Sequence, residues 1–380
     1  MAVREKIRLG LVFGGRSGEH EVSLMSARSV FQALDQKKYN VTQVGITHDG
    51  CWMVGENVLD AMESGDMSLL KFATILPDPT RNELQVLNLT ASGIHLSGLK
   101  KLDVVFPVLH GTFGEDGTLQ GLLELAEIPY IGAGVLGSSL GMDKGVFKDV
   151  MRANNIPVLD SLVVTRREIE SNSSSILESV EKLVDFPLFV KPANLGSSVG
   201  ITKCWSNSDL YEGLFEAASY DRRVLIEKGI DAREIEISVL GNEQPIASVP
   251  GEVIPSREFY SYEAKYIDNT SELIIPAPLP EKIQSLVSEL ALKAYKAIDC
   301  AGMARVDFLI DKQVDQANME YGVYLNEINS IPGFTKISMY PKLWEASGIP
   351  YPELLDRLVE LALDRKSERE KTTWEYRGEK

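Results

Sequence analysis

Apolar and polar residues alternate along this chain with two periods. Residues 7–13, "IRLGLVF", form a short continuous apolar run that predicts a buried strand. The following "EVSLMSARSVFQAL" places apolar residues three and four apart, the spacing of a helix with one buried face. "VTQVGIT" (41–47) and "LDVVFPVL" (102–109) read as further strands, and "GTLQGLLELAEI" (117–128) as a second amphipathic helix that stops before Pro129. Strands alternating with helices predict an α/β domain on a parallel sheet over residues 1–143. Residues 55–100 carry no clear period and are left unassigned.

A second unit, 144–236, opens with the helical pattern in "MDKGVFKDVMRANNIPV", which ends before Pro157. The strand "LVVT", a polar turn and helix in "ESNSSSILES", and three short strands, "FPLFVKP", "VGITKC" and "RVLIEKGI", follow. The third unit, 237–380, has its boundary inside the strand-like "EIEISVL", and "PIASVPGEV" follows. A long polar and aromatic stretch at about 254–275 has the length of a functional lid, or of a passive ordered loop. Beyond it Ile283, Leu286, Val287, Leu290, Ala294 and Ile298 share one helix face. The strands "MARVDFLI" and "GVYLNEIN" and the helix "PELLDRLVELAL" complete the unit. Residues 366–380 carry little apolar surface and are expected to fray.

Composition narrows the class. A net charge of −16 disfavours general binding to nucleic acid or to an anionic membrane surface, because both would repel the chain. It leaves room for a small anion in a locally basic cleft. Cys51, Cys204 and Cys300 contain no C-x-x-C pair, and His20, His48, His95 and His110 lack metal-ligand spacing, so neither a disulfide framework nor a zinc site is expected. No apolar run nears the ~18 residues of a membrane span, and the first residues lack a secretory pattern, which predicts a cytoplasmic protein.

Candidate chemistry concentrates on two late strands. Residues two apart in a strand face the same way, so Arg305 and Asp307 share a face, as do Glu327 and Asn329. On neighbouring strands they would bring two carboxylates, an amide oxygen and a guanidinium together. Such oxygens suit Mg²⁺ with room left for phosphate; the simpler alternative is an ion pair between Arg305 and Asp307 or Glu327. Lys144 and Lys191 are placed to neutralise phosphate oxygens. "NLGSSVG", with Ser197 and Ser198, offers small residues, hydroxyls and free N–H groups to an anion, or is a plain hairpin turn. Glu227 and Lys228 end a strand that could present hydrogen-bonding groups to an adenine ring.

Taken in order, "MDK", "FVKPANLGSSVG", "LIEKGIDAREIE", "ARVDF" and "LNEINSIPGFT" resemble the ATP-grasp ligases, in which a nucleotide is clamped between two sheets. "FGGRSGEHEVSLMSA", "LHGTFGEDGTLQGLLEL" and "YSYEAKY" narrow the resemblance to the D-alanine–D-alanine ligases of bacterial peptidoglycan synthesis, across about residues 6–365. It implies an α/β fold (α+β overall) of the ATP-grasp type: an N-terminal domain, then central and C-terminal subdomains that hold the nucleotide between them. It further implies that ATP activates one D-alanine as an acyl phosphate, that a second D-alanine attacks it, and that the product is D-alanyl-D-alanine. Two Mg²⁺ ions, replaceable by Mn²⁺, and a homodimer formed through the first domain are expected on the same ground.

Residue by residue, the resemblance assigns Asp307, Glu327 and Asn329 to the metal ions. Lys144, Lys191, Ser197, Ser198 and Lys265 go to the ATP phosphates, Glu227 and Lys228 to adenine, and Glu234 to the ribose. Arg305 and the Gly333 N–H would stabilise the tetrahedral oxyanion. Glu19 would hold the first ammonium group, with His110 beside that substrate, and Ser338 and Lys265 would meet the second. Ser197, Tyr266 and Glu19 would link loops across the closed site, making the 254–275 stretch a lid. Read from their surroundings alone, Glu19 could be only a helix-dipole partner and His110 a structural histidine. Relatives that use D-lactate lack the "EAKY" pattern, so this chain is expected to use an amine nucleophile. A D-alanyl-D-lactate or D-alanyl-D-serine ligase is the alternative, and a non-catalytic nucleotide-binding protein a further one.

Overall fold

The computed structural model describes residues 5–91, 93–183, 185–196, 199–254, 272–314 and 318–374. Ser197, Ser198, Lys265 and Tyr266, with most of the expected lid, lie outside them.

The first sheet begins where the apolar pattern places it. Strand β1 (Ile7–Gly14) is followed by helix α1 (His20–Ala33) and β2 (Tyr39–Ile46), and β1 pairs in parallel with β2 along its whole length. Four antiparallel strands continue outward: β3 (Trp52–Val54), then, after α2 (Val58–Ser64), β4 (Lys71–Ile75), β5 (Glu83–Thr90) and β6 (Gly93–Lys101). On the other side β7 (Val104–Val108) joins β1 in parallel, giving the order β6-β5-β4-β3-β2-β1-β7. The expected parallel arrangement therefore covers β2-β1-β7, and the unassigned 55–100 stretch supplies most of the antiparallel extension. Strand β6 is exposed at nearly every position, so it has no buried face to leave an alternation in the sequence.

After α3 (Thr118–Leu125) and α4 (Val135–Met142), helix α5 (Lys144–Ala153) starts at Asp143, whose Oδ1 accepts from the N–H groups of Gly145 and Val146. This is side-chain capping of the first turn. The second sheet has the order β10-β9-β11-β8, from β8 (Ser161–Thr165), β9 (Leu188–Pro192), β10 (Thr202–Cys204) and β11 (Arg223–Lys228). Helix α6 (Arg166–Leu183) breaks at Asn172, where the polar turn was expected, and α7 (Asn207–Tyr220) lies beside β9 and β10. This unit has its own apolar cluster, including Ile169, Val190, Leu210, Leu214 and Val224.

The third sheet runs β15-β14-β12-β16-β17, with β13 beside β12. Its strands are β12 (Ala232–Gly241), β13 (Ile246–Ala247), β14 (Gly251–Ile254), β15 (Glu272–Ile274), β16 (Gly302–Asp311) and β17 (Val323–Asn329). Helix α8 (Glu281–Ala297) covers one face with Ile283, Val287, Leu290 and Ala294, as its spacing predicts. Helices α9 (Met339–Ala346) and α10 (Tyr351–Arg369) then return to the first sheet: Phe334, Tyr340, Trp344, Leu354 and Leu358 share one cluster with Leu9, Leu11 and Phe106. Helix α10 extends into the segment expected to fray. Arg365 donates to the carbonyl oxygens of Tyr130 and Gly132 and stacks 4.3 Å above the Tyr130 ring, and Arg369 pairs with Glu124. Charge, rather than apolar area, fastens this end.

Candidate active site

Strand geometry builds the floor of the site. On the third sheet Glu236, Asp307 and Glu327 lie directly opposite one another across β12, β16 and β17, with Ser238, Arg305 and Asn329 in the next row. Arg305 binds Asp307 with two hydrogen bonds, of 2.8 and 2.7 Å, and its Nε lies 3.0 Å from Glu236. Asn329 donates to Asp307 at 3.0 Å. The ion pair anticipated as the simpler alternative thus exists, within a larger acidic row. Its donors are hard oxygens, which fit Mg²⁺ in kind. Among the described residues no three His, Cys, Asp or Glu side chains could hold a metal by themselves, so a fit here draws on Asn329 and on phosphate oxygens as well.

The second sheet supplies positive charge. Lys191 on β9 and Glu227 on β11 are diagonal neighbours on one face, and Lys191 donates to Glu227 at 2.7 Å. The other Glu227 oxygen pairs with Lys148 of α5, which is almost wholly buried. Burial alone would raise the Glu227 carboxyl, but the Lys148 and Lys191 charges outweigh it and hold it at about 2. Burial likewise opposes the Lys191 ammonium, yet Glu227 raises it, with Glu327 and Glu234 adding to the pull. Lys144, one turn before Lys148, donates to the Leu195 carbonyl at 2.7 Å and lies 3.7 Å from Glu327, which bridges the second and third sheets. Lys228 is exposed, and Glu234 is partly buried.

The first unit closes one end. Glu19 stands at the start of α1, and its carboxylate is pressed between two glycines. A Cβ on Gly111 would lie 2.6 Å from Glu19 Oε2, and one on Gly196, in the glycine-serine loop, 2.7 Å from it. That loop therefore reaches the first unit. His110 Nδ1 is 2.8 Å from the Ile331 carbonyl oxygen, and its Nε2 is 3.1 Å from Ser26 Oγ, which accepts from Phe334 N–H. Glu115 accepts from Gly111 N–H at 2.7 Å and from Ile331 N–H at 2.8 Å. Burial lowers His110 and keeps its ring neutral. Three first-unit side chains thus hold the loop that carries Gly333. Ser338 caps that loop, accepting from Thr335 N–H at 3.1 Å and lying next to Gly333.

Contacts link Glu19 to Gly196, Lys144 to Leu195 and Glu327, Lys191 to Glu227, Arg305 and Asn329 to Asp307, and His110 to Ile331 in the loop of Gly333 and Ser338. Sequence reading missed Lys148, Glu115, Glu236 and Ser26. Two of these left a trace: Lys148 is one helical turn from Lys144, and Glu236 is two residues from Glu234 on a strand. For Glu115 and Ser26, which hold the Ile331 and Phe334 main chain hundreds of residues away, the sequence carries no signal of that contact.

Two family models match the chain: the D-ala D-ala ligase N-terminus at residues 8–133 and its C-terminus at residues 150–360. The D-alanine–D-alanine ligase of Thermoanaerobacter pseudethanolicus is 50% identical over 369 residues, covering 96% of this chain and 99% of that one. That of Natranaerobius thermophilus is 46% identical over 373 residues, covering 98% and 99%. Among solved structures, the D-alanine–D-alanine ligase of Coxiella burnetii superposes with a TM-score of 0.78 at 37% identity, covering 97% of each chain. The VanG D-Ala:D-Ser ligase of Enterococcus faecalis does so with 0.81 at 31%, covering 94% and 100%. With both halves matched by family models and relatives aligned end to end, this chain belongs to the D-alanine–D-alanine ligase family.

Proposed function

We propose that the protein joins two D-alanine molecules at the expense of ATP, for peptidoglycan precursor synthesis. The carboxylate of the first D-alanine attacks the γ-phosphorus, releasing ADP and leaving an acyl phosphate. The amine of the second attacks the acyl carbon, and phosphate departs with the former carboxylate oxygen. Glu19 holds the first ammonium group, with neutral His110 beside it. Lys144 and Lys191 neutralise the phosphates, Glu227 and Lys228 meet adenine through main-chain groups at their strand end, and Glu234 meets the ribose. Arg305 and the Gly333 N–H receive the oxyanion, donors of a kind worth ~10²–10³ in rate each. Ser338 faces the second carboxylate. Ser197, Ser198, Lys265 and Tyr266, to which family likeness gives phosphate and lid roles, lie outside the described residues. Asp307, Glu327 and Asn329 would hold two Mg²⁺ ions, which when bound neutralise the triphosphate charge. A homodimer and a cytoplasmic location belong to the same proposal, on family likeness.

The observation that carries this reading is contact between three units, Glu19 against Gly196 and Lys144 against Glu327, which we read as the walls of one cleft. Such a cleft orients small charged reactants and needs no covalent nucleophile. Phosphate release from ATP tests it. Release is expected with D-alanine and to be far slower with D-serine or D-lactate at neutral pH, and Glu327→Gln should abolish it while the melting temperature is kept. Release independent of D-alanine, or preferring D-serine, would overturn the assignment.

A further inference from the structure

Lys148 has no part in the scheme above, yet among the buried polar side chains it is one of the most enclosed, with 2% of its side chain exposed. It pairs with Glu227, which is itself 1% exposed, so both members of this pair are enclosed. In front of Glu227, and bonded to its other oxygen, is Lys191, whose side chain retains 13% exposure and which senses Glu327 and Glu234 across the cleft. One buried carboxylate is thus shared by two ammonium groups, one sealed in and one at the wall.

We propose that Lys148 is a positioning residue: a fixed counter-ion that keeps Glu227 neutralised and so lets the Lys191 ammonium turn from Glu227 to a nucleotide phosphate. This rests on the reading that Lys191 binds phosphate. The physical argument concerns the cost of stranding a charge. A buried carboxylate that loses its last partner is strongly unfavourable, whereas one that keeps a partner is not. If Lys191 were the sole partner of Glu227, every phosphate contact would compete with that ion pair. With Lys148 in place, Lys191 is a second and dispensable partner.

The test is ADP binding by calorimetry to the full-length protein. Lys148→Met, which keeps most of the length and removes the charge, should weaken ADP binding about tenfold or more, with the KM for D-alanine at saturating ATP changed less than twofold. Adding Glu227→Gln to Lys148→Met should restore most of the affinity, because a neutral amide no longer holds Lys191. Wild-type affinity in Lys148→Met, or no recovery in the double variant, would overturn the proposal. Should Lys148→Met fail to fold, the comparison moves to the Glu227→Gln background. There the further change Lys148→Met should leave ADP affinity unaltered, and a weaker complex would count against the proposal. Lys191→Met separates the two levels. If it binds ADP as the wild type does, the phosphate assignment fails and the inference with it. If Lys191→Met loses affinity and Lys148→Met does not, only the inference fails.

Discussion

At the scale of single residues, the tightest constraint is the space around Glu19. Gly196→Ala would push a methyl group to within 2.7 Å of its carboxylate, which must then move. With Glu19 in its proposed role as ammonium anchor, that shift misplaces the reacting carboxylate, so kcat/KM for D-alanine should fall by about ten- to a hundredfold, with the KM for ATP nearly unchanged; steady-state kinetics with each substrate varied would show it. Glu115 sets a pH dependence. Burial, aided by the Glu19 charge, pushes its carboxyl from the ordinary 4.5 up to about 8. Between these values the folded chain keeps a proton that the unfolded chain has lost, so stability falls as pH rises through this window, by at most ~1.4 kcal/mol per pH unit. Glu227 acts oppositely: its carboxyl lies below 4.5, and the stability it contributes is lost as pH falls toward 2. Chemical denaturation of Glu115→Gln from pH 5 to 8 should give a flatter profile than the wild type. An unchanged slope would show that Glu115 does not titrate there.

At the scale of elements, the hydrophobic pattern located strands and helices well where one face is buried. Strands β1, β2, β7, β16 and β17 and helices α1 and α8 lie where periodicity put them, because a buried stripe repeats in the sequence. The outer strands β4–β6 and the end of α10 escaped it. Strand β6 is solvent-exposed, and the last turns of α10 are held by arginines on carbonyls and carboxylates, which resemble any charged tail. Replacing Arg365 by alanine removes the donor to the Tyr130 and Gly132 carbonyls and should cost about 1–3 kcal/mol, measured by urea denaturation. Retained stability would mean that water serves those carbonyls equally well.

At the scale of the whole molecule, the three units are not equally self-contained. The second has its own core; the first has one on one face of its sheet, around Val12, Val44, Leu84 and Leu123, but the cluster on its other face is completed by Phe334, Tyr340, Trp344, Leu354 and Leu358 from the end of the chain. Expressed alone, residues 1–143 should bind a hydrophobic dye and melt without a cooperative transition, because that apolar surface would stay open. A sharp melt would contradict this. The same return of the chain brings Ile331 and Phe334 under Ser26, His110 and Glu115, so the unit that carries Glu19 also holds the loop of Gly333.

The sequence alone determined the residue types and their local facing: Arg305 with Asp307, Glu327 with Asn329, Lys144 at a helix start, and small residues with free N–H groups in the glycine-serine loop. Strand and helix periods are local, so these relations can be read from spacing. Tertiary structure decided which faces meet. It placed Glu236 in the row with Asp307 and Glu327, put Lys148 behind Glu227, and set Glu115 on the Ile331 main chain. Those partners are linked by burial and by pairing between distant strands, and a buried charge is defined by what surrounds it in space, which neighbouring residues in the chain do not encode.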